Sequence, residues 1–243
     1  MHFTSERRLD DHVVERRFTL GDIPGILWTP ASSTAPTPLI FMGHPGGLDM
    51  MYSRLSARAR SSVAAGYCAA TVELPGSGER PRFADVEAAR ADLRHAITAG
   101  EPVSDDVVDR LVLPLVEKSV PECQATLDAL LMLPGICGPV GYSGGVISIG
   151  IRLALVEPRI AAALLFAGSF VPRSMFDDAR QVTIPLQVLL QWDDEGNDRQ
   201  MALDLYDAFG STEKTLHANM GGHTGVPAYE GDAGNRFFDR HLK

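Results

Sequence analysis

Gly141-Tyr142-Ser143-Gly144-Gly145 follows directly on the strand-like apolar run Ile136 to Val140. A serine framed by glycines at the end of a strand is the G-x-S-x-G pattern of a very tight strand-to-helix turn, which lifts one side chain clear of a sheet edge. Such a turn asks for strained backbone angles at the serine, and for neighbours almost without side chains, which Gly141 and Gly145 supply. The weight of the pentapeptide rests on what surrounds it.

Working outward, short apolar runs alternate with longer segments of helical period, the pattern of a mostly parallel sheet covered by helices on both faces. Val13 to Leu20 and Gly25 to Thr29 predict an antiparallel opening hairpin. Pro38 to Met42, Tyr67 to Glu73, Ile136 to Gly141, Ile160 to Phe166, Leu186 to Gln191 and Lys214 to Ala218 then complete a central sheet of about eight strands. Each of these later runs ends in polar or Gly-rich residues, and open α/β sheets bind ligands at the carboxyl ends of their strands. Ser119-Val120-Pro121-Glu122 fits a capping box, and Asn197-Asp198-Arg199-Gln200 is a weaker version of it. They predict helices over Val120 to Met132 and Asp198 to Phe209, with Leu127, Leu130 and Leu131, then Leu203 and Leu205, facing the core. Residues 79–118 depart from the alternation. Two amphipathic patterns, through Val86, Leu93 and Ile97 and through Val107, Val108, Leu111, Val112 and Leu115, are separated by Gly100-Glu101-Pro102 with no strand between. This predicts a small helical insert, a candidate lid over the strand ends.

The chain has 243 residues, 45% of them hydrophobic, and a formal charge of -9. That length fits one domain over 1–243, able to bury about 75% of its unfolded surface. No apolar run approaches the roughly 18 residues that a membrane span needs. The negative charge argues against a nucleic-acid surface, where clustered Lys and Arg must neutralise phosphates. Met1 to Arg17 is too charged to hold the apolar core of a secretory signal. Cys68, Cys123 and Cys137 stand at unrelated spacings, which favours reduced thiols over a disulfide framework. A cytoplasmic protein is expected.

Four segments make the chain resemble the α/β-hydrolase superfamily, and more loosely its serine esterase and dienelactone-hydrolase-like members. They are Gly43-His44-Pro45-Gly46-Gly47, Gly141-Tyr142-Ser143-Gly144-Gly145, Gln191-Trp192-Asp193-Asp194 and Gly221-Gly222-His223. The resemblance covers nearly the whole chain and implies an α/β-hydrolase fold with chain order nucleophile, acid, histidine. It implies Ser143 as nucleophile, although dienelactone hydrolases proper carry a cysteine there. His223 is the candidate base, on a loop after the last strand. Asp194 is the candidate acid, with Asp193 its main rival and Gln191 replacing the small residue usual at that strand end. Backbone logic places the oxyanion donors on Gly144 and, since Pro45 has no N-H, on Gly46, with Gly47 next in line. His44 is expected to brace that loop. Glu73-Leu74-Pro75-Gly76-Ser77-Gly78 matches the family's D-x-P-G-x-G loop with Glu73 for aspartate, a structural feature. Gly47, Met50, Tyr142, Phe170 and Trp192 are candidates for lining a substrate pocket.

The chain lacks C-x-x-C, H-E-x-x-H and G-x-x-x-x-G-K-[ST], so no metal or organic cofactor is implied. The expected activity is cofactor-independent hydrolysis of a small-molecule carboxylic ester, lactone or thioester through an acyl-enzyme on Ser143. Acyl transfer, C-C bond hydrolysis and amide hydrolysis can use the same residues. A ligand-binding protein without turnover is the alternative of another class.

Overall fold

The structure is a computed structural model and describes residues 1–32 and 35–243. Its strands are β1 (His2–Arg8), β2 (Val13–Leu20), β3 (Ile23–Pro30), β4 (Thr37–Gly43), β5 (Cys68–Val72), β6 (Ile136–Gly144), β7 (Ile160–Phe166), β8 (Leu186–Gln191) and β9 (Lys214–Asn219). Its helices are α1 (Leu48–Ala64), α2 (Ala84–Ala99), α3 (Asp105–Leu131), α4 (Ile147–Val156), α5 (Met175–Gln181), α6 (Arg199–Ala208) and α7 (Tyr229–Leu242). All nine strands share one sheet in the order β1-β2-β3-β5-β4-β6-β7-β8-β9. Pairing is antiparallel from β1 through β3 to β5 and parallel from β5 across to β9.

Alternate residues of each strand feed opposite faces of the sheet, as the two-residue period of a strand dictates. Phe41, Val140, Tyr142, Leu165 and Val188 pack toward α3, α4, α5 and α6. Ile40, Met42, Ala69, Leu164 and Leu189 pack toward α1 and α7. Helices thus cover both faces, and the strands between them read as nearly continuous apolar runs. β4 lies between β5 and β6, so the chain leaves it on one side and returns on the other. At such a reversal the following loops part and leave a crevice at the strand ends. Here the crevice opens beyond Gly43 and Gly144, which are register partners.

Three local expectations are corrected. Among the described residues the sheet has nine strands, because His2–Arg8 pairs along β2. That strand is exposed on both faces, so its sequence shows no apolar alternation. Cross-strand ion pairs take the place of burial, Arg16 to Glu6 at 2.6 Å and Arg7 to Glu15 at 2.9 Å. Secondly, no helix begins at Val120. α3 runs unbroken from Asp105 to Leu131 through Pro114 and Pro121, with Ser119 inside it. A proline in a helix interior costs about 3 kcal/mol. One buried stripe (Val108, Val112, Val116, Val120, Cys123, Leu127 and Leu130) spans both prolines and outweighs the local stop signal. Thirdly, α6 is capped by Asp198 rather than Asn197, the Asp198 carboxylate accepting from the Met201 N-H at 3.0 Å.

The segment 79–118 holds α2 and the first half of α3. α2 ends at Gly100, whose φ of 68° is open to glycine at little cost, and α3 starts behind Ser104. Of the apolar positions read along α2, Ile97 faces solvent. Among the described residues no helix is long and apolar enough to cross a membrane.

Candidate active site

β6 does not end where the pentapeptide suggests. The strand continues through Ser143 to Gly144, with Ser143 in register with Met42 of β4 and Leu164 of β7. Among the described residues no side-chain-bearing residue has a positive φ, and the sharp turn is carried by Gly144 at 74° and Gly145 at 79°. The strain expected at the serine therefore falls on the two glycines after it, where it costs least. Gly145 has a second reason to be glycine, since a Cβ there would stand 2.6 Å from the Gly43 Cα. That contact lets the ends of β4 and β6 close on one another.

Ser143 is 9% exposed, and alternation along β6 sends its side chain to the α1 side of the sheet. Its Oγ accepts from Arg58 Nη2 at 3.1 Å. The same guanidinium donates to the Ser143 carbonyl at 2.6 Å and to the Gly43 carbonyl at 3.1 Å. No motif in the sequence marks Arg58. The one available signal was a charged residue set among Leu55, Ala59 and Val63 on the buried stripe of α1.

The loop after β4 is held from below. His44 is buried and donates from Nε2 to the Val72 carbonyl at 2.8 Å. Glu73 accepts from the Leu48 N-H with both oxygens, at 3.1 and 3.2 Å, and so caps α1. Burial raises the Glu73 pKa. Gly47 is the N-cap residue of α1, and Gly46 stands beside it on the half-buried loop. Met50 is 78% exposed and its Cε reaches over Gly46, 3.2 Å from where a Cβ would be.

Burial pushes the His44 pKa below its ordinary 6.5. The folded protein then prefers the neutral ring, and the unfolded chain binds more protons once the pH drops below that value. Stability contributed by neutral His44 is complete above about pH 6.5 and is lost as pH falls through the lower folded pKa. Melting temperatures taken between about pH 7 and pH 5 should fall more steeply for the wild type than for His44→Gln. Parallel slopes would remove His44 from this account.

The loops after β8 and β9 meet. His223 Nδ1 lies 2.6 Å from Asp194 Oδ2, and Asp194 Oδ1 accepts from the Gly196 N-H at 3.1 Å. The Asp194 side chain is 4% exposed and the His223 side chain 52%. The His223 ring packs edge-on against Phe166, centroids 5.3 Å apart. Asp193, the rival acid, points elsewhere and accepts from the Gly221 N-H at 3.1 Å. Gln191 donates to the Gly222 carbonyl at 3.2 Å, so the unusual residue at this strand end ties down the histidine loop. Among the described residues no hydrogen bond joins Ser143 Oγ to His223.

The remaining candidates divide. Phe170 lines a cavity of about 250 Å³ with Pro45, Pro75 and Val146 at the strand ends. Val86 and Leu93 of α2 and Leu111 and Leu115 of α3 close it from above. Trp192 is half-buried beneath the Arg199 guanidinium, 4.4 Å from its ring centroid. Tyr142 is corrected from pocket to core: it is 1% exposed and packs on the sheet face opposite to Ser143, as strand alternation requires. Among the described residues no cluster of three or more His, Cys, Asp or Glu side chains is placed to hold a metal ion.

No protein-family model matches the chain, and no curated protein does. Solved structures do. A cold-adapted esterase from an Arctic intertidal metagenomic library, in its PEG-bound complex, is 28% identical with a TM-score of 0.77, covering 100% of both chains. TT1662 from Thermus thermophilus is 17% identical with a TM-score of 0.67, over 94% of this chain and 97% of that one. An acetyl xylan esterase from Paenibacillus sp. R4 is 12% identical with a TM-score of 0.64, over 99% and 88%. The chain is an α/β-hydrolase superfamily member. In this α/β-hydrolase, Ser143 and the His223–Asp194 pair stand on loops and strand ends at the carboxyl edge of the parallel strands, and the 250 Å³ cavity lies along the same edge.

Proposed function

We propose that this α/β-hydrolase is a serine hydrolase that cleaves a small carboxylic ester, lactone or thioester through an acyl-enzyme on Ser143. The observation that carries the reading is the 2.6 Å pair between His223 Nδ1 and the enclosed Asp194 carboxylate. With Nδ1-H donated to Asp194, the lone pair of the neutral imidazole is on Nε2, ready to take a proton. Ser143 Oγ attacks the carbonyl carbon as its proton passes to Nε2. The N-H groups of Gly46 and Gly144 receive the oxyanion, and the proton then goes to the departing alcohol. Water, activated in the same way, releases the acid.

The esterase names of the structural neighbours support the ester as the bond attacked. The cavity under α2 and α3, lined mainly by apolar side chains together with Glu87, Arg90 and Ser169, suits an acyl or alcohol group of modest size, and 79–118 then serves as a cover within a single 1–243 domain. The three unpaired cysteines fit a reducing compartment such as the cytoplasm. A second reading, a ligand-binding protein without turnover, has one observation in its favour: Ser143 Oγ is bonded to Arg58 and not to His223. A fluorophosphonate probe separates the two. Covalent labelling of Ser143 in native protein, with release of acid from an activated ester, supports hydrolysis. Folded protein that takes up no label supports the binding reading.

A further inference from the structure

Among the described residues Arg58 is the one charged group hydrogen-bonded to Ser143 Oγ, and the mechanism above does not use it. Its three acceptors are neutral: the Gly43 carbonyl, the Ser143 carbonyl and Ser143 Oγ. Among the described residues no carboxylate is within ion-pair distance of it, whereas Arg60 on the same helix and Arg17 beside it are each paired to an aspartate. A partly enclosed cation without a counter-ion is costly and is retained where a negative charge comes to meet it. Burial pulls the Arg58 pKa below that of an ordinary arginine, in keeping with an uncompensated charge. The space is also made for it. A Cβ on residue 144 would stand 2.9 Å from Nη2, so the glycine after the serine is what admits the guanidinium.

We propose that Arg58 is a further catalytic residue of the Ser143 reaction: its planar fork ties the end of β4 to the end of β6 and its positive charge stabilises the anion formed when Ser143 attacks. The proposal rests on the serine-hydrolase reading. As the Oγ-C bond forms, the carbonyl π pair moves onto oxygen and the Oγ proton moves to His223 Nε2. On collapse the carbonyl re-forms, the bond to the leaving oxygen breaks, and that oxygen takes the proton from His223. Arg58 gives up no proton in either step. It contributes a fixed charge beside the reacting oxygen, together with the two-pronged anchoring that lysine lacks.

The test compares wild type, Arg58→Gln and Arg58→Lys in steady-state hydrolysis of an uncharged activated ester and in the rate of fluorophosphonate labelling, with melting curves as the folding control. Expected are a fall of about 10² to 10³ in kcat for Arg58→Gln with KM nearly unchanged, a parallel fall in labelling rate, and partial recovery in Arg58→Lys. Should Arg58→Gln not fold, Arg58→Met, which keeps the packing of the stem, takes its place. An equal loss in the glutamine (or methionine) and lysine variants, a loss carried by KM, or wild-type rates throughout would overturn the proposal while Ser143 still labels. If wild-type Ser143 takes no label at all, the hydrolase reading falls and Arg58 falls with it.

Discussion

Ser143→Ala is expected to lower turnover of an activated ester by about 10⁶, leaving a folded protein that still binds substrate. Attack by the hydroxyl oxygen is the step the whole reading depends on, and alanine removes the oxygen while keeping the backbone. The turn itself should survive, because Gly144 and Gly145 carry the positive φ angles and Ser143 does not. The loss should therefore appear in kcat with an unchanged melting temperature. Alanine also removes one acceptor from Arg58 but leaves the two carbonyls it bridges. Steady-state rates and a thermal melt on the same preparation check this, and activity within tenfold of wild type would end the Ser143 mechanism.

Asp194→Asn is expected to cost about 10⁴ in kcat with little change in KM. The carboxylate accepts from His223 Nδ1 at 2.6 Å, which keeps the proton on that nitrogen and the lone pair on Nε2. An asparagine of the same shape can present its NH₂ to Nδ1 instead, which favours the wrong tautomer. Asp193→Asn serves as the contrast. Asp193 holds the Gly221 N-H and not the histidine, so its loss should act through loop placement and remain far smaller. Kinetics on the pair of variants decide the matter, and a larger loss in Asp193→Asn would transfer the acid role to it.

The strands from β2 to β9 were readable because each is a short apolar run closed by polar or glycine residues, and for β2, β7 and β8 the expected limits are the observed ones. β1 was not readable, since a strand exposed on both faces leaves no apolar period. The capping box at Ser119 does not start a helix because it is a local signal, whereas the stripe that carries α3 past Pro121 acts through packing against the sheet. At the site, the serine, the histidine and two aspartates stood in recognisable short motifs. The choice of aspartate facing His223, the burial of Tyr142 and the presence of Arg58 beside Ser143 depend on distances between segments 15 to 85 residues apart in the chain.

The sequence by itself determined the alternating architecture, the glycine-framed serine and the set of residues from which a site is built. All of these are written in neighbouring residues through period, turn chemistry and side-chain type. Only the tertiary structure decided that the turn's strain rests on Gly144 and Gly145, that Asp194 rather than Asp193 meets the imidazole, and that a guanidinium from α1, with no carboxylate partner among the described residues, enters between β4 and β6. The physical reason is that side-chain type is local, whereas hydrogen-bond geometry and the company a charge keeps arise only when distant strands and helices close on one another.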